Sequence, residues 1–575
     1  MRAFAGPCTQ PAFKGRSGLT CWPPLTLALL PLLCSVAWAQ TPPDAGSLRQ
    51  QIEQQRQPTL PQAAPQTPAS PPPEIRPADG LQVQVKAFRL AGNTLLSAEQ
   101  LTPALAGFVD RELDFAALQR ASDAVAAAYR EAGWLVRVYL PEQDVSEGTI
   151  TLQVVEARFA GVRLEGSSPS RVRPRQLQAL FEARQAIGQP LNANALDRAL
   201  LLADDLPGVG VSGTLAPGAA DGETALLLQT TDEAWLYGHV ALDNTGARST
   251  GSARVSASLN INSPLGRGDA LNLYLLAAEG SQYARLGMSS PVGGDGLRLG
   301  LSGSSMRYKV IEGTGSNPAA QVQGNSSSLG ADLNYPLVRQ RLHNLNASVG
   351  LELKDFYNRD TAVRSDYRST GLSLGLSGNR FDSLGGGGAT SASLQWQSGR
   401  LSSLRAHNQI ASLARSYSKI SYSLSRQQTV TAEHSLLLSL QGQQASQLLD
   451  SSEKFFIGGA NSVRAYPGSE AGGERGHVLS AEWRWRLDGQ FTLSGFVDSG
   501  AATALAEPAV ADSTTRTLRL HGYGASVQWQ GPRSMSLRAT LARRIGENPR
   551  PTASGTDGDG TLKTNRLWLT ASLPF

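Results

Sequence analysis

Ser252-Ala-Arg-Val-Ser-Ala-Ser-Leu-Asn-Ile-Asn262 sets Ala253, Val255, Ala257, Leu259 and Ile261 in strict alternation with polar residues. A period of two puts one set on each face of a strand. The pattern returns at Leu271/Leu273/Leu275, Leu297/Leu299/Leu301, Leu345/Ala347/Val349/Leu351/Leu353 and Leu372/Leu374/Leu376. It returns again at Leu479/Ala481/Trp483/Trp485/Leu487 and Tyr523/Ala525/Val527/Trp529, and it closes the chain at Leu567, Leu569, Ala571, Leu573 and Phe575. Connections rich in Gly, Ser, Asn and Asp separate these runs. Alternation over about ten residues, repeated along the 341 residues from Trp235 to Phe575, predicts a transmembrane antiparallel β-barrel, apolar outside and polar within. At roughly twenty residues per strand and connection, about sixteen strands fit. A soluble β-sandwich also alternates, but not over so long a run without an intervening domain.

The whole chain has 575 residues, of which only 17% are charged, and it carries 59 glycines. Outside the N-terminus no run of 18 apolar residues occurs, which excludes a helical membrane protein. Residues 1–39 read as a secretory signal peptide: Arg2, Lys14 and Arg16 precede an apolar stretch from Leu25 to Val36, and Ala37-Trp38-Ala39 is a cleavage signal. Cys8, Cys21 and Cys34, the three cysteines, all fall inside it, so the exported chain needs no disulfide. Removing the signal leaves 49 basic against 47 acidic residues. That near-neutral balance gives no case for a nucleic-acid partner.

Residues 40–57 contain a breaker-free polar stretch, Leu48 to Gln57, predicting a short helix. Over 58–80 follows a linker with eight prolines between Pro58 and Pro77, an extended tether. The segment 81–156 then reads β-α-α-β-β: a strand at Val83, Val85 and Phe88, helices at 98–108 and 115–132, strands at 134–140 and 149–156. The order repeats over 157–231, with strands at 162–165, 209–215 and 224–230 and helices at 175–182 and 194–202. A period of roughly 75 residues gives two small α/β modules in series.

Signs of catalysis are weak. His239, His343, His407, His434, His477 and His521 are scattered and show no metal-ligand spacing. Gly208-Val-Gly-Val-Ser-Gly213 leads into a strand and not the helix that a dinucleotide requires. Gly371-Leu-Ser-Leu-Gly375 lies within an alternating strand, whereas a nucleophile elbow needs a strand-to-helix turn. No enzyme activity, cofactor or metal is expected.

Two modules ahead of a barrel resemble the TpsB outer-membrane transporters of two-partner secretion, the FhaC-like exporters of haemagglutinins and haemolysins. In the first module the resemblance rests on Phe88-Arg-Leu-Ala-Gly-Asn-Thr94, Tyr129-Arg-Glu-Ala-Gly-Trp134 and Leu140-Pro-Glu-Gln-Asp144. In the second it rests on Leu206-Pro-Gly208 and Leu215-Ala-Pro-Gly218. Asp243-Asn-Thr-Gly246 with Thr250-Gly251 resembles the family's first barrel strand, and Gly266-Arg-Gly-Asp269 the turn between its first two strands. The modules would then be POTRA modules in the periplasm of a Gram-negative cell, and the helix in 40–57 a pore plug.

The sharpest motif is Ile457-Gly-Gly-Ala-Asn-Ser-Val-Arg-Ala-Tyr-Pro-Gly468. In the BamA-like superfamily a loop folded back into the barrel carries V-R-G-[YF] at its tip. Val463, Arg464, Ala465 and Tyr466 fit, with Ala465 in place of glycine. Gly495-Phe-Val-Asp-Ser-Gly500 resembles the wall motif that receives the arginine. Independently, Phe491, Leu493 and Val497 share the outward parity, so Phe496 and Asp498 face the lumen, as does Glu482. An inward Asp498 facing Arg464 would form a charge-assisted pair that pins the loop, expected over 457–476. The resemblance implies secretion of an unfolded TpsA-type exoprotein by a monomer in the outer membrane, with or without activation of the passenger. Its alternative is a BamA-like factor that inserts other barrels; a plain diffusion porin needs neither the modules nor Arg464.

Overall fold

In the computed structural model, residues 44–55, 82–311, 322–360, 364–404, 416–506 and 514–575 are described, apart from 167, 469 and 553. The signal peptide and the proline tether lie outside the described residues.

The first module is more elaborate than its sequence pattern. Val83, Val85 and Phe88 belong to two strands: β1 (Gln82–Val85) pairs with β3 (Arg111–Asp114), while β2 (Ala87–Ala91) runs parallel to β5 (Thr149–Glu156), whose other edge takes β4 (Val136–Tyr139). The short β3 carries charge at three of four positions, and so gives no period to read. Helices α2 (Ala98–Leu105) and α3 (Phe115–Glu131) cover the sheet. Ser97 and Gln100 form a capping box on α2, and Asp114 caps α3. Leu101, Leu118, Val125 and Tyr129 are buried against Ile150 and Leu152. Glu156 accepts hydrogen bonds from the Thr94 and Leu95 amides, both 2.7 Å, and from the Tyr129 hydroxyl, 3.0 Å. Burial opposes ionisation of Glu156, but those bonds outweigh it and hold the carboxyl below its usual range. One carboxylate thus ties together two of the module's sequence motifs.

The second module is simpler: β6 (Arg158–Glu165), β8 (Glu223–Asp232) and β7 (Val209–Pro217) lie in that spatial order, with α4 (Pro174–Glu182) and α5 (Ala193–Asp204) packed through Leu177, Phe181, Ala199 and Leu202. Gly208 enters β7, with no helix after it.

Sixteen strands form a closed barrel. Its first eleven are β9 (Leu236–Asp243), β10 (Arg254–Asn262), β11 (Ala270–Ala278), β12 (Ser281–Pro291), β13 (Arg298–Lys309), β14 (Gln323–Arg339), β15 (His343–Arg359), β16 (Arg364–Asp382), β17 (Gly388–Ser403), β18 (Ser416–Thr429) and β19 (His434–Ala445). A long loop holding the two-residue strands β20 (Phe455–Phe456) and β21 (Gly472–Gly473) intervenes. The remaining five are β22 (Arg475–Arg486), β23 (Phe491–Ala504), β24 (Arg516–Gln530), β25 (Ser536–Arg544) and β26 (Asn565–Pro574). All neighbours are antiparallel, and β26 returns to β9, where Gly238 and Phe575 exchange both backbone hydrogen bonds. Leu299, Leu301, Leu351, Leu353, Leu372 and Leu374 are exposed on the outside, which is where a barrel meets lipid. Gly266–Asp269 forms the turn between the second and third barrel strands, not the first two, because Leu236–Asp243 is already a barrel strand. Asp269 holds it, its carboxylate accepting from the Leu265 and Arg267 amides. Gly371 and Gly375 lie inside β16.

Ion pairs fix the second module to its end of the barrel. Arg339 contacts Asp205 at 2.6 Å, Arg341 contacts Asp197 at 2.7 Å, and Arg184 donates to Asp295 at 2.8 Å. Arg198 adds a 2.6 Å bond to the Pro336 carbonyl.

Two adjacent residues at the middle of β17 test the inside–outside assignment. Leu394→Arg, on the outward face, is expected to cost about 2–4 kcal/mol near the bilayer midplane, measured by urea unfolding in lipid vesicles. Gln395→Arg, on the luminal face, should insert and unfold nearly as the parent does.

Candidate functional site

Among the described residues, helix α1 (Ala45–Gln55) and the loop between β19 and β22 pack against the inward face of the wall. The helix begins before the stretch predicted for it, because Asp44 acts as N-cap: its carboxylate accepts from the Ser47 amide at 2.7 Å. Ala45, Leu48 and Ile52 share one helical face and pack on Tyr283, Met306, Tyr308, Phe356 and Tyr367. These wall residues stand in the inward, nominally polar phase of their strands. The alternation is broken where the helix sits.

Polar contacts complete the seat. Arg49 donates to Glu352 at 2.7 Å and to Ser328 at 2.8 Å. Glu53 accepts from the Tyr283 hydroxyl, Gln55 accepts from Arg254 at 2.6 Å, and the Gln55 carbonyl accepts from Asn461 at 3.3 Å. Ser451 of the loop donates to Asp44 at 2.7 Å. Helix and loop therefore touch at both ends of the helix.

The loop covers 446–474; Arg475 and Gly476 already belong to β22. It turns on itself through bonds from Gly459 N–H to Tyr466 C=O (3.1 Å) and from Val463 N–H to Ile457 C=O (3.0 Å). Val463 and Tyr466 are buried with Ile457, Val478, Phe496 and Leu520. This apolar packing carries Arg464 into the middle of the wall formed by β22 and β23.

There Arg464 makes a dense set of bonds. Its Nε donates to Asp498 Oδ2 at 2.9 Å and its Nη2 to Asp498 Oδ1 at 2.8 Å, a bidentate fork. Its own amide donates to the same carboxylate at 3.1 Å. Nη1 donates to Glu482 at 2.6 Å and Nη2 to Ser480 at 3.1 Å, while the guanidinium carbon lies 3.3 Å from the Phe496 ring centre. Asp498 is fully buried. Removing one partner from such a pair leaves an uncompensated buried charge, a penalty of about 3–5 kcal/mol. Geometry favours arginine here: only a planar fork reaches both Asp498 oxygens while a third nitrogen meets Glu482.

Parity and motif bring Val463, Arg464, Ala465, Tyr466, Phe496, Asp498 and Glu482 into one cluster. Other members belong to no motif in the sequence. The indole of Trp568 donates to the Arg464 carbonyl at 2.7 Å; a tryptophan in the luminal phase between Leu567 and Leu569 was its only mark. Ser480 also donates to Asp498, 2.7 Å, and Arg484 to Glu482, 2.9 Å, with Arg538 3.5 Å from Glu482. Arg544 stands over the Tyr466 ring, 5.1 Å from its centre.

A second anchor lies at the base of the loop. Glu453, buried, contacts Lys354 and Lys419 at 2.8 Å each. Lys354 also reaches Glu352 at 3.2 Å, the carboxylate that receives Arg49. The charges run Arg49, Glu352, Lys354, Glu453, Lys419, from helix to wall to loop to wall. Among the described residues no group of metal-binding side chains occurs.

The family model for haemolysin secretion/activation proteins ShlB/FhaC/HecB matches residues 222–528, and that for the ShlB-type POTRA domain matches residues 83–157. The heme/hemopexin transporter protein HuxB of Haemophilus influenzae (strain 86-028NP) is 25% identical over 528 residues, 88% of this chain and 92% of that protein. The outer membrane transporter CdiB of Escherichia coli is 26% identical over 484 residues, 80% of each chain. The solved structure of CdiB from Escherichia coli shares the fold, with a TM-score of 0.68 at 21% identity over 92% of this chain and 95% of that one.

The alanine at the loop tip has a local explanation that can be tested. A Cβ placed on Gly522 of β24 would lie 2.6 Å from the Ala465 methyl, so the missing side chain at 522 makes room for the extra one at 465. Gly522→Ala is expected to destabilise the docked loop by about 1–3 kcal/mol, as overpacking does. Ala465→Gly in the same chain should recover most of that loss. Protease cleavage within 457–468 of the membrane-inserted protein measures both.

Proposed function

The chain belongs to the family of haemolysin secretion/activation proteins ShlB/FhaC/HecB, and from this membership we propose how it moves its cargo. It is an outer-membrane two-partner secretion transporter, with its POTRA modules in the periplasm. The activity proposed is transport, with no enzymatic step. The cargo is a TpsA-type exoprotein that arrives unfolded, meets the two modules and threads through the barrel of a single chain. Strand addition to an open sheet edge of a module suits an extended polypeptide, since main-chain hydrogen bonds place little demand on sequence. For HuxB the name gives heme/hemopexin; here the passenger is defined only as a large extended polypeptide. Family membership favours secretion over the assembly of other barrels.

Two obstructions stand in its path, α1 and the in-folded loop, and we assign them different roles. Helix α1 is the removable plug. Its charged contacts are few, and its connection is the proline-rich segment 58–80. The loop is the fixed element, held at its tip by Arg464 and at its base by Glu453. The observation that carries this assignment is the bidentate Arg464–Asp498 pair. A guanidinium with a fully buried carboxylate, a second acid and an aromatic face is poorly placed to leave, whereas Arg49 has one acid partner.

Arg464→Ala is expected to abolish or strongly reduce secretion of the passenger while the barrel still inserts and migrates as a heat-modifiable band. Arg464→Lys should restore it only in part, because an ammonium cannot make the fork. Normal secretion by Arg464→Ala would leave the motif as an ordinary loop. Deleting residues 41–57 should raise single-channel conductance in planar bilayers while secretion stays largely intact. Unchanged conductance would remove the plug assignment.

A further inference from the structure

The outward face of the barrel carries a basic row at the end remote from the modules. Lys309 at the end of β13 pairs in register with Gln323 on β14, Gln323 pairs with Arg359 on β15, and Arg359 pairs with Arg364 on β16. All four side chains are exposed. They share the parity of Leu299, Leu301, Leu351, Leu353, Leu372 and Leu374, so they continue the lipid-facing rows upward beyond the apolar band. One step below Lys309 on the same face stands Arg307. With neighbouring strands about 5 Å apart, Lys309 and Arg359 are about 10 Å apart and Arg359 and Arg364 about half that.

Like charges directly opposite across a ladder are destabilising, and the fold does little to relieve them. Arg364 is paired with Asp366 at 2.9 Å. For Arg307, Lys309 and Arg359 no ion pair or side-chain hydrogen bond exists among the described residues. Nearby Arg368, by contrast, is matched by Asp355 at 2.6 Å. The four cations line a groove of about 510 Å³, together with the carboxylates of Glu279 and Asp366 and the ring of Tyr357.

We propose that this groove binds the phosphate groups of an outer-leaflet glycolipid. Its position decides for lipid over the passenger: the row faces away from the lumen, directly above leucines that contact acyl chains. At that level a lipid can place its chains on the apolar band and its phosphates among the cations without leaving the membrane. Arginine forks and a lysine at the headgroup level are suited to phosphate oxygens, and Tyr357 belongs with the aromatic residues found at such interfaces. The site would fix one quadrant of the barrel, β12–β16, to the leaflet. Helix α1 is seated on the inner face of that same quadrant, through Tyr283, Tyr308 and Phe356.

The test uses the full-length protein in detergent, titrated with purified bisphosphorylated lipid A and read by native mass spectrometry. The quadruple variant Arg307→Gln/Lys309→Gln/Arg359→Gln/Arg364→Gln should lose at least about tenfold in apparent affinity. A control on the far side of the barrel, Arg519→Gln/Arg543→Gln, should bind as the parent does, and dephosphorylated lipid A should bind the parent as weakly as lipid A binds the quadruple variant. Heat-modifiable migration checks folding; if the quadruple variant fails it, each single variant is read instead, and each should lower affinity. Equal binding by the folded quadruple variant, or by all four single variants, would overturn the proposal, as would an equal loss in the control. Displacement of lipid A by an equimolar amount of inorganic phosphate, or of an acidic peptide, would also overturn it in favour of a general anion site or a protein partner.

Discussion

A guanidinium buried in a barrel wall fixes what the rest of this structure can do. Arg464 reaches the wall only because the loop that carries it turns inward, and the turn holds only because Val463, Tyr466 and Ile457 find apolar partners on β22 to β24. Burying the charge alone would be prohibitive. The Asp498 fork, the Glu482 contact and the Phe496 face repay that desolvation, and every one of these groups sits on a strand whose register the closed barrel fixes. A shift of one residue in β23 would turn Asp498 to lipid and leave the arginine stranded.

The second anchor couples the loop to helix α1. Glu453 lies between Lys354 and Lys419, and Lys354 shares Glu352 with Arg49. Within this set of five, three cations face two acids, so the helix contributes the surplus positive charge. Withdrawing α1 leaves two cations and two acids, and the loop keeps its ion pairs. The ion pairs at the base of the loop, Glu453 with Lys354 and Lys419, do not include the helix. Leu48 and Ile52 add apolar packing against the wall aromatics.

The second module meets the barrel through ion pairs, with Leu202 beside Gly296 and Leu206 beside Gly268. Arg339–Asp205, Arg341–Asp197 and Arg184–Asp295 bracket the second module against two turns, β12–β13 and β14–β15. Partly exposed pairs of this kind contribute little stability singly, but three bidentate or near-bidentate contacts define an orientation.

How much of this was legible in the residues follows from the range of each signal. The strict alternation at Ala253 to Ile261, and again at Leu567 to Phe575, determined the barrel and its two faces, because a period of two has one geometric meaning in a strand long enough to cross a membrane. It also put Phe496, Asp498 and Glu482 on the luminal side. The module helices showed through their apolar spacing, while β3, short and charged, left no trace, and β1 and β2 merged into one strand because nothing local marks the change of sheet at Lys86. The inward aromatics Phe356 and Tyr367 depart from the alternation because α1 lies against them. Trp568, Ser480 and Lys354 could not be joined to Arg464 or Glu453 from sequence, since the contacts span as many as 104 positions. Local periodicity fixes which way a side chain points. Which distant side chain it meets is decided by barrel closure and by the inward course of one loop, and these are properties of the tertiary structure.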